Sequence, residues 1–282
     1  MRFASFIWEG RPAFGAVTPE GIRNLAGEAA TLREALTRLG LDGLRERASR
    51  SAPSIPLDQV QWLPPITNPD KILCVGLNYF EHAKEARMAV PEHPSIFVRF
   101  PGAQVGHLQP VVRPRASSKF DYEAELAVVI GKEGRHIDEA HAYEHVAGYS
   151  CFAENSVRDW QTHSRQATPG KNFERSGAFG PWLVTADEAG PVEAMEVVGR
   201  LNGEVMQRDS AANMIFSVPK MLAYASTFTT LLPGDVIVTG TPAGVGFTRD
   251  PPIWLKPGDR FEVDITGVGV LANPVIDETE RR

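Results

Sequence analysis

Short apolar runs of period two dominate the chain, broken by a few stretches of helical period. The opening "MRFASFIWEGRPAFGAV" carries apolar runs on both sides of Glu9-Gly10-Arg11-Pro12, the pattern of a β-hairpin. "TLREALTRLGLDGLRERASR" then takes up helical spacing. Thr31 with Glu34 fits a capping box, and Leu32, Leu36 and Leu39 mark one apolar face. "SAPSIPLDQVQWLPPITNPDK" holds five prolines, too many for a regular element, and predicts a linker or wrapping arm before the strand "ILCVGLNY". The pattern predicts a small α/β N-terminal domain with its linker over 1–66 and a larger domain over 67–282.

In the larger part, "SIFVRF", "PVVRP", "EAELAVVIG", "AGYSCF", "PWLVT", "MEVVGRLNG", "DVIVTG" and "FEVDITGVGVLANPV" read as short strands between Gly and Pro turns. Many short strands without alternating long helices predict a mixed or antiparallel β fold, a sandwich or rolled barrel, and an α+β, mostly β chain. "IDEAHAYEHVA" and "SVPKMLAYASTFTTL" read as helical interruptions, the second starting at Ser-x-Pro and burying Met221, Leu222 and Ala225.

Length and charge narrow the partners. A chain of 282 residues can bury a sizeable core, and its net charge of −6 argues against a general binder of nucleic acid or anionic membrane, which needs clustered positive charge. No apolar stretch approaches the ~20 residues of a membrane span, and "MRFASFIWEG" lacks the layout of a signal peptide, so the expected location is cytoplasmic and the expected partner a small molecule. Cys74 and Cys151 lie in apolar runs without metal-site spacing and read as core thiols.

"FDYEAELAVVIG" raises the first chemical question. Asp121, Glu123 and Glu125 stand at every second position, so on a strand they share one face about 6.6 Å apart. In water such neighbours repel by about 0.6 kcal/mol, which a solvated edge tolerates. At an effective dielectric near 20 the repulsion is about 2.5 kcal/mol per pair, and a positive charge is needed on that face. A solvated edge and a metal or catalytic site both fit these letters.

Other polar groups gather nearby in the chain. "GYSCFAENSVRDWQ" places Glu154, Asn155, Arg158, Asp159 and Gln161 just after an apolar strand, as a site at a strand end or a solvated turn does. Glu154 offers a further oxygen ligand for a hard cation, and Arg158 and Gln161 suit an anionic oxygen. Lys171 in "TPGKNF" stands alone, as a solvated lysine or a site cation. His82 and Glu85 sit three apart, facing each other if the segment is helical, either as an exposed pair or as an oriented base. "LLPGDVIVTGTPAGVG" matches no phosphate-loop spacing, which leaves Gly244 and Gly246 for tight turns, with the Thr241 hydroxyl and backbone amides available to a carboxylate.

The order of "ILCVGLNYFEHAKE", "DYEAELAVVIGK", "GYSCFAENSVRDWQ", "GKNF", "GPWLV", "LNGEVMQ" and "LLPGDVIVTGTPAGVG" resembles the fumarylacetoacetate hydrolase family from about residue 70 to the C-terminus. The resemblance implies a rolled mixed β-structure, a homodimer, and Mg²⁺ or Mn²⁺ held by Glu123, Glu125 and Glu154. Asp121 is then no ligand. Glu154 stands where the family usually has Asp, and Arg99 where many members have Lys. By the same resemblance Arg158, Gln161 and Thr241 contact substrate oxygens, Lys171 stabilises the developing anion, and His82 with Glu85 forms the acid–base pair of a mobile lid. The implied reaction is metal-dependent hydrolysis of a C–C bond in a 2,4-dioxo acid such as an acylpyruvate, through a stabilised enolate. Oxaloacetate decarboxylation or tautomerisation and hydration or isomerisation of an oxo-dienoate are alternatives. A small-acid binding protein that keeps the metal pocket without turnover is the alternative of another class.

Overall fold

The fold was taken from a computed structural model that describes residues 1–279. Strands Arg2–Trp8 and Arg11–Thr18 pair antiparallel from Arg2↔Val17 to Trp8↔Arg11, and the two turn residues Glu9 and Gly10 both take positive φ, as a tight type I′ hairpin requires. Helix Leu32–Arg50 begins where Thr31 Oγ1 accepts the Glu34 amide at 3.1 Å. Glu34 answers at the amide of Ala30, one residue earlier than a standard capping box. The helix is interrupted at Gly40, whose φ is 66°.

The proline-rich segment is a wrapping arm. Ile55 bridges to Ile22, and Gln61–Trp62 adds a short strand beside Phe6 and Ile7. Through Arg2–Trp8 the N-terminal strands continue directly into the main sheet, next to Gly177–Thr185.

That sheet has eleven strands, with Val146–Ala153, Ala124–Ile130, Val236–Val238 and Ile72–Gly76 in its middle. Most pairs are antiparallel, but Val236–Val238 runs parallel to Ile72–Gly76, so the sheet is mixed. A second sheet of five strands runs in the order Glu204–Ser210, Glu196–Leu201, Arg260–Ile265, Gly269–Asp277, Val111–Arg113. Ala124–Ile130 is buried on both faces, which explains its unbroken apolar reading. Leu126, Val128 and Ile130 join the core that includes Val197, Val263 and Leu271 of the second sheet, while Ala127 and Val129 join the core under Leu32, Leu36 and Leu44 of the helix.

Two local expectations need adjusting. The acid strand is not continuous: pairing stops after Asp121 and resumes at Ala124. "IDEAHAYEHVA" forms a 3₁₀ segment, Glu139–His145, capped by Asp138 and running straight into the strand at Val146. Glu204–Ser210 pairs with Glu196–Leu201 although its letters are polar. It is an edge strand, where charge guards against further pairing, and its signal was the Asn202-Gly203 turn. Helix Val218–Phe228 starts at Ser217 and buries Met221, Leu222 and Ala225 as its pattern predicts. Both cysteines are buried and free. Among the described residues no helix is long and apolar enough to cross a membrane.

Candidate divalent-cation site

Strand register assembles the acids. Ala124 pairs with Ala153 and Glu125 with Phe152, so one step further the antiparallel ladder sets Glu154 opposite Glu123, and the Glu154 amide donates to the Glu123 carbonyl at 2.9 Å. Residues opposite in such a ladder share a face, so all three carboxylates converge. One oxygen from each lies within 4.8 Å of the others. Glu123, Glu125 and Glu154 are 4%, 1% and 1% exposed, which excludes the solvated edge.

Lys171 ends the short helix Thr168–Lys171 and is buried with them, its Nζ donating to Glu123 Oε2 at 2.8 Å and Glu154 Oε2 at 3.3 Å. Arg158 opens helix Arg158–Gln161 and bridges Asp121 Oδ2 at 2.7 Å to Glu123 Oε1 at 2.6 Å. Its guanidinium also lies 4.4 Å over the Phe247 ring. Gln161 Oε1 accepts from Arg158 at 3.1 Å.

The electrostatics favour a cation. Asp121, Glu123, Glu125 and Glu154 bring four carboxylates against the two cations Arg158 and Lys171, leaving two negative charges when all are ionised. Burial would raise Glu123, but Lys171 and Arg158 outweigh it and hold its carboxyl down at about 2. Glu125 goes the other way. Burial pushes it well up, and Glu154 and Glu123 add to the push. Burial also works against the charged form of Lys171, yet Glu123 and Glu154 raise it above its ordinary value, so it stays an ammonium. Glu154 Oε1 is buried without a hydrogen-bond partner among the described residues, an acceptor that a cation would satisfy. An all-carboxylate donor set suits Mg²⁺ or Mn²⁺ rather than a soft metal. The residues therefore fit a divalent ion held by Glu123, Glu125 and Glu154.

His82 and Glu85 lie on helix Phe80–Glu85, as their spacing predicts, with His82 Nδ1 2.7 Å from Glu85 Oε1. The helix start is fixed by buried Asn78, whose Nδ2 donates to the carbonyls of Thr239 and Phe216 at 2.7 and 3.0 Å. Glu85 accepts from the Gly244 amide at 2.9 and 3.0 Å and from Thr248 Oγ1 at 3.2 Å. Burial opposes its ionisation, but His82 and the Gly244 amide prevail and hold it below the usual carboxylate range.

Thr241 is beside the cluster, but its hydroxyl is engaged within the protein. It donates to the Ala124 carbonyl at 2.9 Å and accepts from Gln207 Nε2 at 2.7 Å, while the preceding amide, Gly240, donates to Glu125 Oε2 at 2.6 Å. Arg99 is buried and donates to the Asn155 carbonyl at 3.1 Å and Ser176 Oγ at 3.0 Å. Sequence reasoning missed Ser156, which donates to Glu123 Oε1 at 2.9 Å, and Thr248. Neither carries a spacing signal, because each acts through a fold contact.

Fold and site together define an α+β, mostly β protein built around a candidate divalent-cation centre. The family model for the fumarylacetoacetate (FAA) hydrolase C-terminal region matches residues 71–276. The chain belongs to the fumarylacetoacetate hydrolase family. It is 40% identical over 264 residues to the human protein named oxaloacetate tautomerase FAHD2A, mitochondrial, covering 91% of this chain and 84% of that one. A fumarylacetoacetate hydrolase from psychrophilic Exiguobacterium antarcticum superposes with a TM-score of 0.86 at 34% identity over 99% of this chain and 100% of its own. A Sphingobium maleylpyruvate hydrolase, solved with manganese(II) and pyruvate, gives 0.83 at 27% identity with the same coverage.

Proposed function

We propose that the protein is a Mg²⁺- or Mn²⁺-dependent enzyme of 2-oxo acids, and that its reaction is proton transfer at the carbon beside the ketone, as in the tautomerisation of oxaloacetate. The observation that carries this reading is the His82–Glu85 pair, seated on the same loop whose Gly246 and Phe247 amides bind Asp121 of the acid run. With Glu85 kept ionised and accepting a hydrogen bond from Nδ1–H, Nε2 of His82 is the nitrogen left to accept or return a proton. A divalent ion held by Glu123, Glu125 and Glu154 would supply Lewis acidity toward the oxygens of such an acid. Lys171 and Arg158 place fixed positive charge at the cluster before reaction, which favours charge developing on substrate oxygen. Near-complete burial of Glu123, Glu125, Glu154 and Lys171 keeps bulk water away from that charge. The name of the relative at 40% identity supports the choice of oxaloacetate.

Hydrolysis of a C–C bond in an acylpyruvate is the second reading. It uses the same pair to activate water, and the maleylpyruvate hydrolase neighbour supports it. Enol-oxaloacetate and a panel of acylpyruvates, each followed by loss of enol absorbance with Mn²⁺ and by product analysis, separate the two. Faster enol loss with oxaloacetate recovered intact supports tautomerisation, whereas cleavage products from acylpyruvates alone refute it. Ligand-dependent thermal stabilisation without any turnover points instead to a binding protein.

A further inference from the structure

Asp121 is the acid of the "DYEAE" run that the resemblance leaves without a task. Its side chain is fully buried, and donors surround it. Oδ1 accepts from the amides of Tyr122 at 2.9 Å and Gly246 at 2.8 Å, and Oδ2 from Arg158 Nε at 2.7 Å and the Phe247 amide at 3.2 Å. A Cβ at position 246 would stand 2.5 Å from Asp121 Oδ1 and closer still to the Ile253 carbonyl, so glycine is what allows this approach. Neutralising Arg158 would not need the two loop amides.

The same loop grips Glu85. Gly244 and Thr248 flank the two amides bound to Asp121, and both donate to the Glu85 carboxylate. On its other side Asp121 holds Arg158, which reaches Glu123 and lies over Phe247. We propose that Asp121 is a positioning residue that ties loop 244–248, the seat of Glu85, to the arginine of the carboxylate cluster, so that the His82–Glu85 pair and the cation site keep one relative geometry. The proposal rests on the site described above and not on which oxo acid it takes. Asparagine cannot substitute, because its amide would turn a donor toward either the loop amides or Arg158.

The test is amide hydrogen exchange over residues 80–88 in the full-length protein, with neither metal nor substrate added. In Asp121→Asn, exchange there rises about tenfold or more, although the 121 carboxylate bonds to none of those residues among the described ones. Thr248→Val, which leaves the cluster intact, raises it by a smaller factor, and lowers kcat about tenfold with KM within about threefold. The double variant falls no more than about threefold below Asp121→Asn in kcat, since both changes loosen one link. Unchanged exchange over 80–88 in a folded Asp121→Asn, or kcat losses that multiply, overturns the proposal and leaves Asp121 serving the cluster alone. Should Asp121→Asn not fold, Asp121→Glu carries the same exchange test. Absence of turnover on every oxo acid would sink the proposed function, while the exchange result still decides this inference.

Discussion

Replacing Glu125 by glutamine should move stability and cation binding in opposite directions. Glu125 has the Gly240 amide at one oxygen, and its carboxyl is pushed up by burial and by Glu154 and Glu123. Glutamine keeps an acceptor for Gly240 and turns an N–H donor toward Glu154, whose Oε1 otherwise has no partner. Two ionised carboxylates 4.8 Å apart, the outer limit within the cluster, repel by about 3.5 kcal/mol at an effective dielectric of 20, and proton uptake relieves part of it. Without metal, Glu125→Gln should therefore melt higher, by about 2 °C per kcal/mol recovered. Losing one of the three candidate carboxylate ligands should weaken Mn²⁺ binding by more than the 10–100-fold that loss of an outer partner costs. Thermal melts in EDTA and calorimetric titration with MnCl₂ measure the two effects. A variant that melts lower without metal, or that binds Mn²⁺ as tightly as the parent, would refute the cluster as a repulsive cage built for a cation.

His82→Ala should lower kcat about 10²–10⁴-fold while Mn²⁺ affinity stays within about threefold, and parallel losses in both would remove His82 from the proton-transfer role. Glu154→Asp draws the third carboxylate back by about 1.5 Å, so cation binding should persist while the ranking of oxo acids changes, and an unchanged ranking would count against its ligand role. For pH, the raised Glu125 means that the metal-free fold binds a proton more tightly than the unfolded chain. Its metal-free stability should thus fall as pH rises above the ordinary value of 4.5, and saturating Mn²⁺ should abolish the fall. Melting curves with the same pH slope in both conditions would contradict this. Glu123, held down at about 2, adds stability present above about 4.5 and lost as pH drops toward 2.

Much of the site was legible in the chain. The alternation of Glu123 and Glu125 placed them on one face, and the helical spacing of His82 and Glu85 made them partners. Both relations are local, fixed by one element's geometry. The letters alone mark Glu154, Arg158 and Lys171 only as candidates beside blander readings, and the resemblance implies their place in one site, since their approach depends on register and loop packing. Thr241 lies beside the cluster, yet its hydroxyl serves Ala124 and Gln207, partners far away in sequence.

The sequence alone determined what period and composition control: the hairpin, the capped helix, the run of short strands, two core thiols, and the pairs that sit within one element. Each depends on interactions across a few residues, which letters report directly. Only the tertiary structure decided whether three acids were a wet edge or a buried cage, because burial depends on what covers a face. It also decided the task of Asp121. Nothing next to Asp121 in the chain except Tyr122 is among its hydrogen-bond donors. The others, Arg158, Gly246 and Phe247, arrive from segments that meet only when the sheets close.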